Sequence, residues 1–469
     1  MPQRRKNTYY LLSLGCAKNT VDSHGMAQLL DGAGLRGVGD PHAAEVLIVN
    51  TCGFIESARR ESLEALKELA ASRRPGQMLI AAGCLSQRYG AALAKDVPGL
   101  DGIIGTRRWM DIVDLVRRLR ARPHPEPLYH LPDEAATVGA DEKGVLRAAP
   151  QGASAYLKIA DGCRRPCAFC AIPAIKGTAV SRPMETILDE ARRLRDSGVQ
   201  EIILIAQDLT DYGHDLGLKD GLAQLLESLA QAVPDLPWVR LMYAYPGAVT
   251  PRLIDVMAGS QQILPYLDIP LQHGHRDTLL RMRRPANVEW VYRTLETMRA
   301  RIPRLAIRTT FIVGYPGETE AEFQTLLDFV NDLQFDRVGV FTYSFEAGTP
   351  SADLPGHLPE AVKEERRARL MELQQSISLA KNQALVGQTL DVLIEGRAQA
   401  ETEDGSTLDD VISIGRSFRD APEIDGYVLV EGSAPIGQIV PVRITGAMVY
   451  DLAGIAAAAA IVPVPTSRF

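Results

Sequence analysis

Three short apolar runs near the start of the chain each end in a cysteine. Tyr10–Gly15 leads into Cys16, Val46–Thr51 into Cys52 and Met78–Gly83 into Cys84, with helical patterns between them. Apolar runs of this length, alternating with helices, read as parallel strands of an α/β sheet, whose carboxyl ends converge on one edge. The spacing therefore predicts that three thiols far apart in sequence meet in space. A second trio needs no fold to bring it together: Cys163, Cys167 and Cys170 form CxxxCxxC. Three thiolates leave one metal position open, which an iron-sulfur cluster can use for substrate or for a second sulfur. Two such clusters are expected.

The chain has 469 residues, enough for about three domains that each bury a core. Hydrophobic content of 46% and charged content of 23% are ordinary for globular protein. Met1–Lys6 is basic, but the apolar run after it is too brief for a signal peptide, and Ala456–Ala460 is too short to span a membrane. Six cysteines in such a chain point to metal or catalysis rather than disulfides, so a reducing, cytoplasmic location is expected.

Along the chain, residues 7–120 read as a small doubly wound α/β domain, with helices near Thr20–Leu30, Glu56–Ala70 and from Ser86, and a last strand at Gly102–Ile104. Residues 121–154 are Pro-, Gly- and acid-rich and read as a linker. Residues 155–383 hold six strand-like runs: Ala155–Ile159, Glu201–Ala206, Trp238–Tyr243, Leu267–Leu271, Ala306–Val313 and Arg337–Tyr343. Six such repeats suit a partial (β/α)6 barrel with its site at the carboxyl ends of the strands, followed by a charged helix over Glu364–Gln383. Residues 384–455 show short alternating runs (Leu390–Ile394, Asp410–Ile414, Tyr427–Leu429, Ile439–Ile444), predicting a small antiparallel barrel of oligonucleotide-binding type, with a tail over 456–469. From Ala384 onward five arginines face twelve acids, a balance of −7 that equals the net charge of the whole chain. A nucleic-acid clamp should be basic.

Other readings of the cysteines are a zinc site, a dithiol redox pair at Cys167 and Cys170, or inert buried thiols. Structural zinc wants four closed ligands, and no histidine or fourth cysteine lies between Leu131 and Ala206; His24, however, could complete a four-ligand zinc site with the distant trio. Gly314-Tyr315-Pro316-Gly317-Glu318 follows the fifth barrel run and opens a helix, where backbone could approach a nucleoside or methionine moiety, or simply turn. Gln207-Asp208 and Gln272-His273, also at strand ends, could bind a ligand or cap a loop.

The segment Tyr156-Leu-Lys-Ile-Ala-Asp-Gly-Cys163-Arg-Arg-Pro-Cys167-Ala-Phe-Cys170-Ala-Ile-Pro173 resembles the radical S-adenosylmethionine enzymes, and Ser13-Leu-Gly-Cys16-Ala-Lys-Asn-Thr-Val-Asp-Ser23 resembles their methylthiotransferase branch. The wording of the first motif is most similar to members that modify an aspartate of a small-subunit ribosomal protein. The resemblance covers nearly the whole chain, with a radical barrel between an amino-terminal methylthiotransferase domain and a carboxyl-terminal TRAM domain. It implies a 4Fe-4S cluster on Cys163, Cys167 and Cys170 that chelates S-adenosylmethionine, with Phe169 as the aromatic before the last ligand. It implies an auxiliary 4Fe-4S cluster on Cys16, Cys52 and Cys84. Gly314, Pro316, Gly317 and Glu318 would match the family's cosubstrate loop, with Gln207 and Asp208 as further candidate contacts. In the family's scheme one S-adenosylmethionine methylates a sulfur on the auxiliary cluster. A second yields a deoxyadenosyl radical that takes hydrogen from the aspartate β-carbon, which captures the methylthio group. A basic ribosomal protein as substrate, an electron donor such as flavodoxin or ferredoxin, no membrane and a monomer are expected. Two departures stand out: His24 where the family usually has Glu, and Arg164-Arg165-Pro166 in a loop that more often begins with an acid. The competing readings are a tRNA methylthiotransferase acting on a purine beside the anticodon, and a non-catalytic ribosome-associated module stapled by zinc.

Overall fold

The computed structural model describes residues 7–121, 126–131, 143–401 and 407–457. The first sheet is all parallel, in the order β2-β1-β3-β4-β5-β6: β1 (Thr8–Ser13), β2 (Arg36–Gly37), β3 (Val46–Thr51), β4 (Met78–Gly83), β5 (Gly102–Gly105) and β6 (Leu128–His130). Helices α1 (Ala17–Gly32), α2 (Glu56–Ser72), α3 (Cys84–Asp96) and α4 (Ile112–Ala121) cover it. Because both faces are covered, β3 is apolar at successive positions rather than alternating. Ile48, Ile80 and Ile104 pack with Met26, Leu30 and Leu115 on one face. Leu47, Val49, Leu79 and Ile103 pack with Leu66, Leu69 and Leu93 on the other.

The central sheet is a partial barrel in the order β15-β14-β13-β12-β11-β8-β7. Six strands are parallel: β8 (Ser154–Lys158), β11 (Glu201–Ile205), β12 (Trp238–Leu241), β13 (Ile263–Asp268), β14 (Ala306–Val313) and β15 (Arg337–Thr342). β7 (Ala148–Gln151) pairs antiparallel at one edge, and β9 (Ala160–Asp161) with β10 (Val180–Ser181) forms a separate two-stranded ribbon. The helices are α5 (Ile172–Lys176), α6 (Met184–Asp196), α7 (Gly221–Ala232), α8 (Pro251–Gly259), α9 (Arg276–Arg281), α10 (Val288–Arg301), α11 (Glu320–Leu333) and α12 (Glu360–Gln383). The outward faces of the strands form one apolar core with α6, α7, α8, α10, α11 and α12.

A closed barrel, in the order β16-β17-β18-β20-β19, ends the described chain: β16 (Thr389–Glu401), β17 (Thr407–Ser417), β18 (Val428–Glu431), β19 (Ile439–Ala447) and β20 (Leu452–Ala456). Its core is continuous with the inward face of the partial barrel, where Tyr156, Ile203, Met242 and Tyr266 join Leu390, Val392, Phe418 and Val428. Buried charge pins this contact. Glu201 holds Arg240 and Arg416, each at 2.6 Å, Asp420 holds Arg337 at 2.5 Å, and Asp425 accepts from the Tyr266 hydroxyl at 2.7 Å.

Several expectations need correction. The fourth barrel strand is Ile263–Asp268, earlier than the Leu267–Leu271 run, because Ile263 and Leu267 turn outward to the helices while Leu264 and Tyr266 turn inward, so both faces need apolar residues. The stretch read as a linker supplies β6 and β7, each stabilised by pairing with a neighbouring strand rather than by a core of its own. The closed barrel has a fifth strand, β20, and its pairing with β18 is parallel. From residue 458 on, the expected tail lies outside the described residues. The acidity of the last segment is not all surface: Glu395, Asp420 and Asp425 are spent on Arg416, Arg337 and Arg308.

Candidate functional site

Cys16 caps α1, Cys52 directly follows β3, and Cys84 is the first residue of α3, so three adjacent strand ends present the distant trio. A polar lattice sets the loops. Asn19 donates to the carbonyls of Leu14 (2.7 Å) and Asn50 (3.1 Å), Asn50 donates back to Asn19 (3.0 Å) and to Ser23 (2.8 Å), and Ser62 clips the backbone N–H of Cys52 at 3.0 Å. Gly15 has φ +91°, and a Cβ there would lie 2.7 Å from the Cys52 Cβ and 3.0 Å from its sulfur, so only glycine lets the first loop lie against the second thiol. Burial pushes the Cys84 thiol up to about 12, with the charges of Cys16 and Cys52 adding to the rise; Cys52 is raised by burial, and the charge of Cys16 adds.

The second trio lies in the loop after β9. Gly162, at φ +75°, turns the chain where a Cβ would strike the Thr178 carbonyl oxygen at 2.0 Å. The Cys163 sulfur accepts from the Arg165 N–H and the Cys170 sulfur from the Ile172 N–H, each at 3.4 Å, and Arg284 donates to Cys167 at 3.5 Å. Burial raises Cys163 to about 11 and Cys170 to about 12, and the charge of Cys167 adds to both. Metal binding would displace those protons.

The two trios come together through packing. Cys84 shares an apolar contact with Ala171 and Ile175, just past Cys170. Arg107 donates to the carbonyls of Ile175 (2.9 Å) and Ala174 (2.8 Å), and Arg88 of α3 pairs with Glu346, beyond β15, at 2.8 Å. Asp22 of α1 accepts from Lys158 (2.5 Å) and pairs with Lys176 (3.4 Å), while Asp161 pairs with the same lysines at 3.0 and 2.9 Å. Burial alone would raise the Asp161 carboxyl, but Lys158, Lys176 and Arg147 hold it below the usual carboxylate range.

No three His, Cys, Asp or Glu side chains among the described residues are gathered for a single metal ion. His24 is exposed and lines a surface hollow with Tyr9, Ser13 and Gly39, and among the described residues it is not gathered with the distant trio into a four-ligand zinc site. Three thiols presented by adjacent strand ends and not closed around one ion suit an iron-sulfur cluster in which each thiolate takes a different iron. For S-adenosylmethionine the fit is carried by buried polar atoms without a hydrogen-bond partner at the strand ends: Gln207 Oε1 and Gln272 Oε1 as acceptors, and His273 Nε2 as a donor, since its Nδ1 accepts from the His275 N–H.

The remaining sequence candidates divide. Phe169 packs against Met282, Tyr315 and Tyr343, which brings the Gly314–Glu318 loop beside the CxxxCxxC loop. Glu318 itself is turned inward: it accepts from Arg366 (2.9 Å) and the Tyr315 N–H (3.0 Å), and burial raises its carboxyl to about 6. Gly314 lies against Lys363, and the Gly317 N–H donates to Gly356 at 2.8 Å, so the close approaches of this loop are to protein. Asp208 holds Arg165 at 2.7 Å and Asp211 chelates Arg164, giving both departing arginines a partner. Sequence reasoning missed Tyr245, whose ring stands between Arg165 (4.2 Å) and Arg284 (4.3 Å), because nothing in its own neighbourhood marks it.

Residues 157–330 match the Radical SAM superfamily, residues 8–105 the uncharacterized protein family UPF0004, and residues 386–456 the TRAM domain. Proteins named ribosomal protein uS12 methylthiotransferase RimO are similar along nearly their whole length. That of Chloroflexus aurantiacus is 51% identical over 456 residues (95% of this chain, 99% of the relative), and that of a Roseiflexus species is 48% identical over 461 residues (95% and 96%). Among solved structures, the radical S-adenosylmethionine methyltransferase TsrM of Kitasatospora setae, with cobalamin and a 4Fe-4S cluster bound, aligns with a TM-score of 0.54 at 14% identity over 74% of each chain, a likeness of fold. With this identity along its length, the chain belongs to the RimO family of radical S-adenosylmethionine methylthiotransferases.

Proposed function

We propose that the protein transfers a methylthio group to the β-carbon of an aspartate in ribosomal protein uS12. The observation that carries this reading is the seating of Cys84 on Ala171 and Ile175, which sets a second sulfur-ligand trio beside Cys163, Cys167 and Cys170 in a chain so similar to uS12 methylthiotransferases. Cys163, Cys167 and Cys170 would hold one 4Fe-4S cluster, and Cys16, Cys52 and Cys84 the other. Once bound, the clusters and S-adenosylmethionine supply the sulfur, the methyl group and the radical that an unactivated carbon demands. The side chains position and exclude. Asp22, Asp161, Lys158 and Lys176 clamp α1 to β8, Phe169 and Tyr315 close one wall with apolar surface, and Arg284 steadies the Cys167 sulfur.

A low-potential donor such as flavodoxin or ferredoxin supplies electrons, and the protein acts as a monomer in the cytoplasm, where its ribosomal substrate is made. Among the described residues no helix is long and apolar enough to cross a membrane. The test is anaerobic reconstitution followed by separate incubation with uS12 and with tRNA. Mass spectrometry should find methylthio in place of hydrogen on a uS12 aspartate and unmodified tRNA; modified tRNA with untouched uS12 would replace this reading with the nucleic-acid one.

A further inference from the structure

Lys18 lies in the first turn of α1, two residues past Cys16, and its ammonium stands 3.2 Å from the centre of the Tyr243 ring. Tyr243 follows β12 with a left-handed backbone, φ +70°, which is uncommon for a residue of its bulk. Burial pushes the ammonium below the ordinary lysine range, while the charges of Cys16, of Asp268 at the end of β13 and of Asp161 in β9 act against that shift. Lys18 thus stands within electrostatic reach of Cys16, of the first trio, and of Asp161, two residues before Cys163 of the second.

The other cations around this mouth are committed. Arg164 is held by Asp211, Arg165 by Asp208, Arg308 by Asp268 and Asp425, Lys158 and Lys176 by Asp22 and Asp161, and Arg284 by the Pro270 carbonyl and Cys167. Lys18 makes neither a hydrogen bond nor an ion pair with the described residues; its one close partner is the face of an aromatic ring. A cation over a ring keeps its three donors available for an anion.

We infer that Lys18 is the anchor for the carboxylate of the substrate aspartate. This inference rests on the function proposed above. An aspartate β-carbon is bonded directly to its carboxylate, so one charge-assisted hydrogen bond from Lys18 fixes which C–H faces the cofactors and restricts the side chain to one orientation. The same contact distinguishes aspartate from asparagine, whose amide brings no charge to it.

The test is equilibrium binding of uS12 to the reconstituted holoenzyme under anaerobic conditions, using uS12 with its target aspartate intact and uS12 carrying Asp→Asn at that position. The wild-type protein should bind the aspartate form about tenfold more tightly. Lys18→Gln should bind both forms alike, Lys18→Arg should restore most of the preference, and iron content and S-adenosylmethionine binding should be unchanged in both variants. A Lys18→Gln protein that keeps the wild-type preference overturns the inference, as does one that loses S-adenosylmethionine binding with its uS12 preference intact. If the wild-type holoenzyme binds tRNA and neither form of uS12, the functional reading falls as well, an outcome distinct from failure at Lys18 alone.

Discussion

The two cysteine trios reach the same kind of arrangement by opposite routes. Cys163, Cys167 and Cys170 are neighbours in sequence, held in one loop by backbone N–H bonds to two of the sulfurs. Cys16, Cys52 and Cys84 meet only because β1, β3 and β4 are adjacent and parallel, and because Asn19, Asn50 and Ser62 fix the loops that follow. A local trio survives small errors of packing; a topological one depends on the whole first sheet. Ligand sets spread across a fold should therefore be the more sensitive to distant substitutions, although the chemistry of the sulfurs is the same.

The largest effects should come from the sulfurs themselves, and they should differ in kind. Cys167→Ala should abolish both reductive cleavage of S-adenosylmethionine and methylthiolation, whereas Cys84→Ala should retain cleavage to deoxyadenosine and lose methylthio transfer. Parallel assays of deoxyadenosine and of modified uS12 would show the split, and equal loss of both products in the two variants would erase the distinction drawn here.

Next in size is Asp22→Asn, which removes one of the two carboxylates that balance Lys158 and Lys176 where both are buried. Removing one partner of such a buried network should cost about 3–5 kcal/mol of stability. Denaturant unfolding should show the loss, with iron retention at the distant trio falling before that at CxxxCxxC.

A smaller effect should appear with acid at the opposite end of the partial barrel. Burial alone would raise Glu201, but Arg240 and Arg416 pull it down to about 2. Because its folded value lies below the ordinary carboxylate range near 4.3, its contribution is complete above that range and is lost as pH falls toward 2. The shift corresponds to at most about 3 kcal/mol. Unfolding free energy measured down the acid limb should fall faster for the wild-type protein than for Glu201→Gln.

The same contrast explains what was legible in the sequence. CxxxCxxC could be read from spacing alone, and the strand-end positions of the other three cysteines followed from the alternation of runs, so the two cysteine trios and the three main sheets were visible in outline. Glu318 looks available as a carboxylate in a glycine loop, and the sequence does not show that Arg366, 48 residues further along the chain, pairs with it. The alternative role for His24 stayed open because helical spacing from Cys16 does not say which face of α1 meets the sheet. Tyr245 and Arg284 stayed hidden since each matters only through contacts made across the barrel mouth. The acidity of the last segment pointed away from nucleic acid, but part of it serves to bury Arg308, Arg337 and Arg416 between two barrels.

The central claim is that both trios carry a cluster. Iron and acid-labile sulfide analysis of the anaerobically reconstituted protein tests it most directly, alongside the Cys16, Cys52 and Cys84 triple alanine variant. About eight irons per chain, falling to about four in the variant, are expected. About four irons in both proteins would contradict the account.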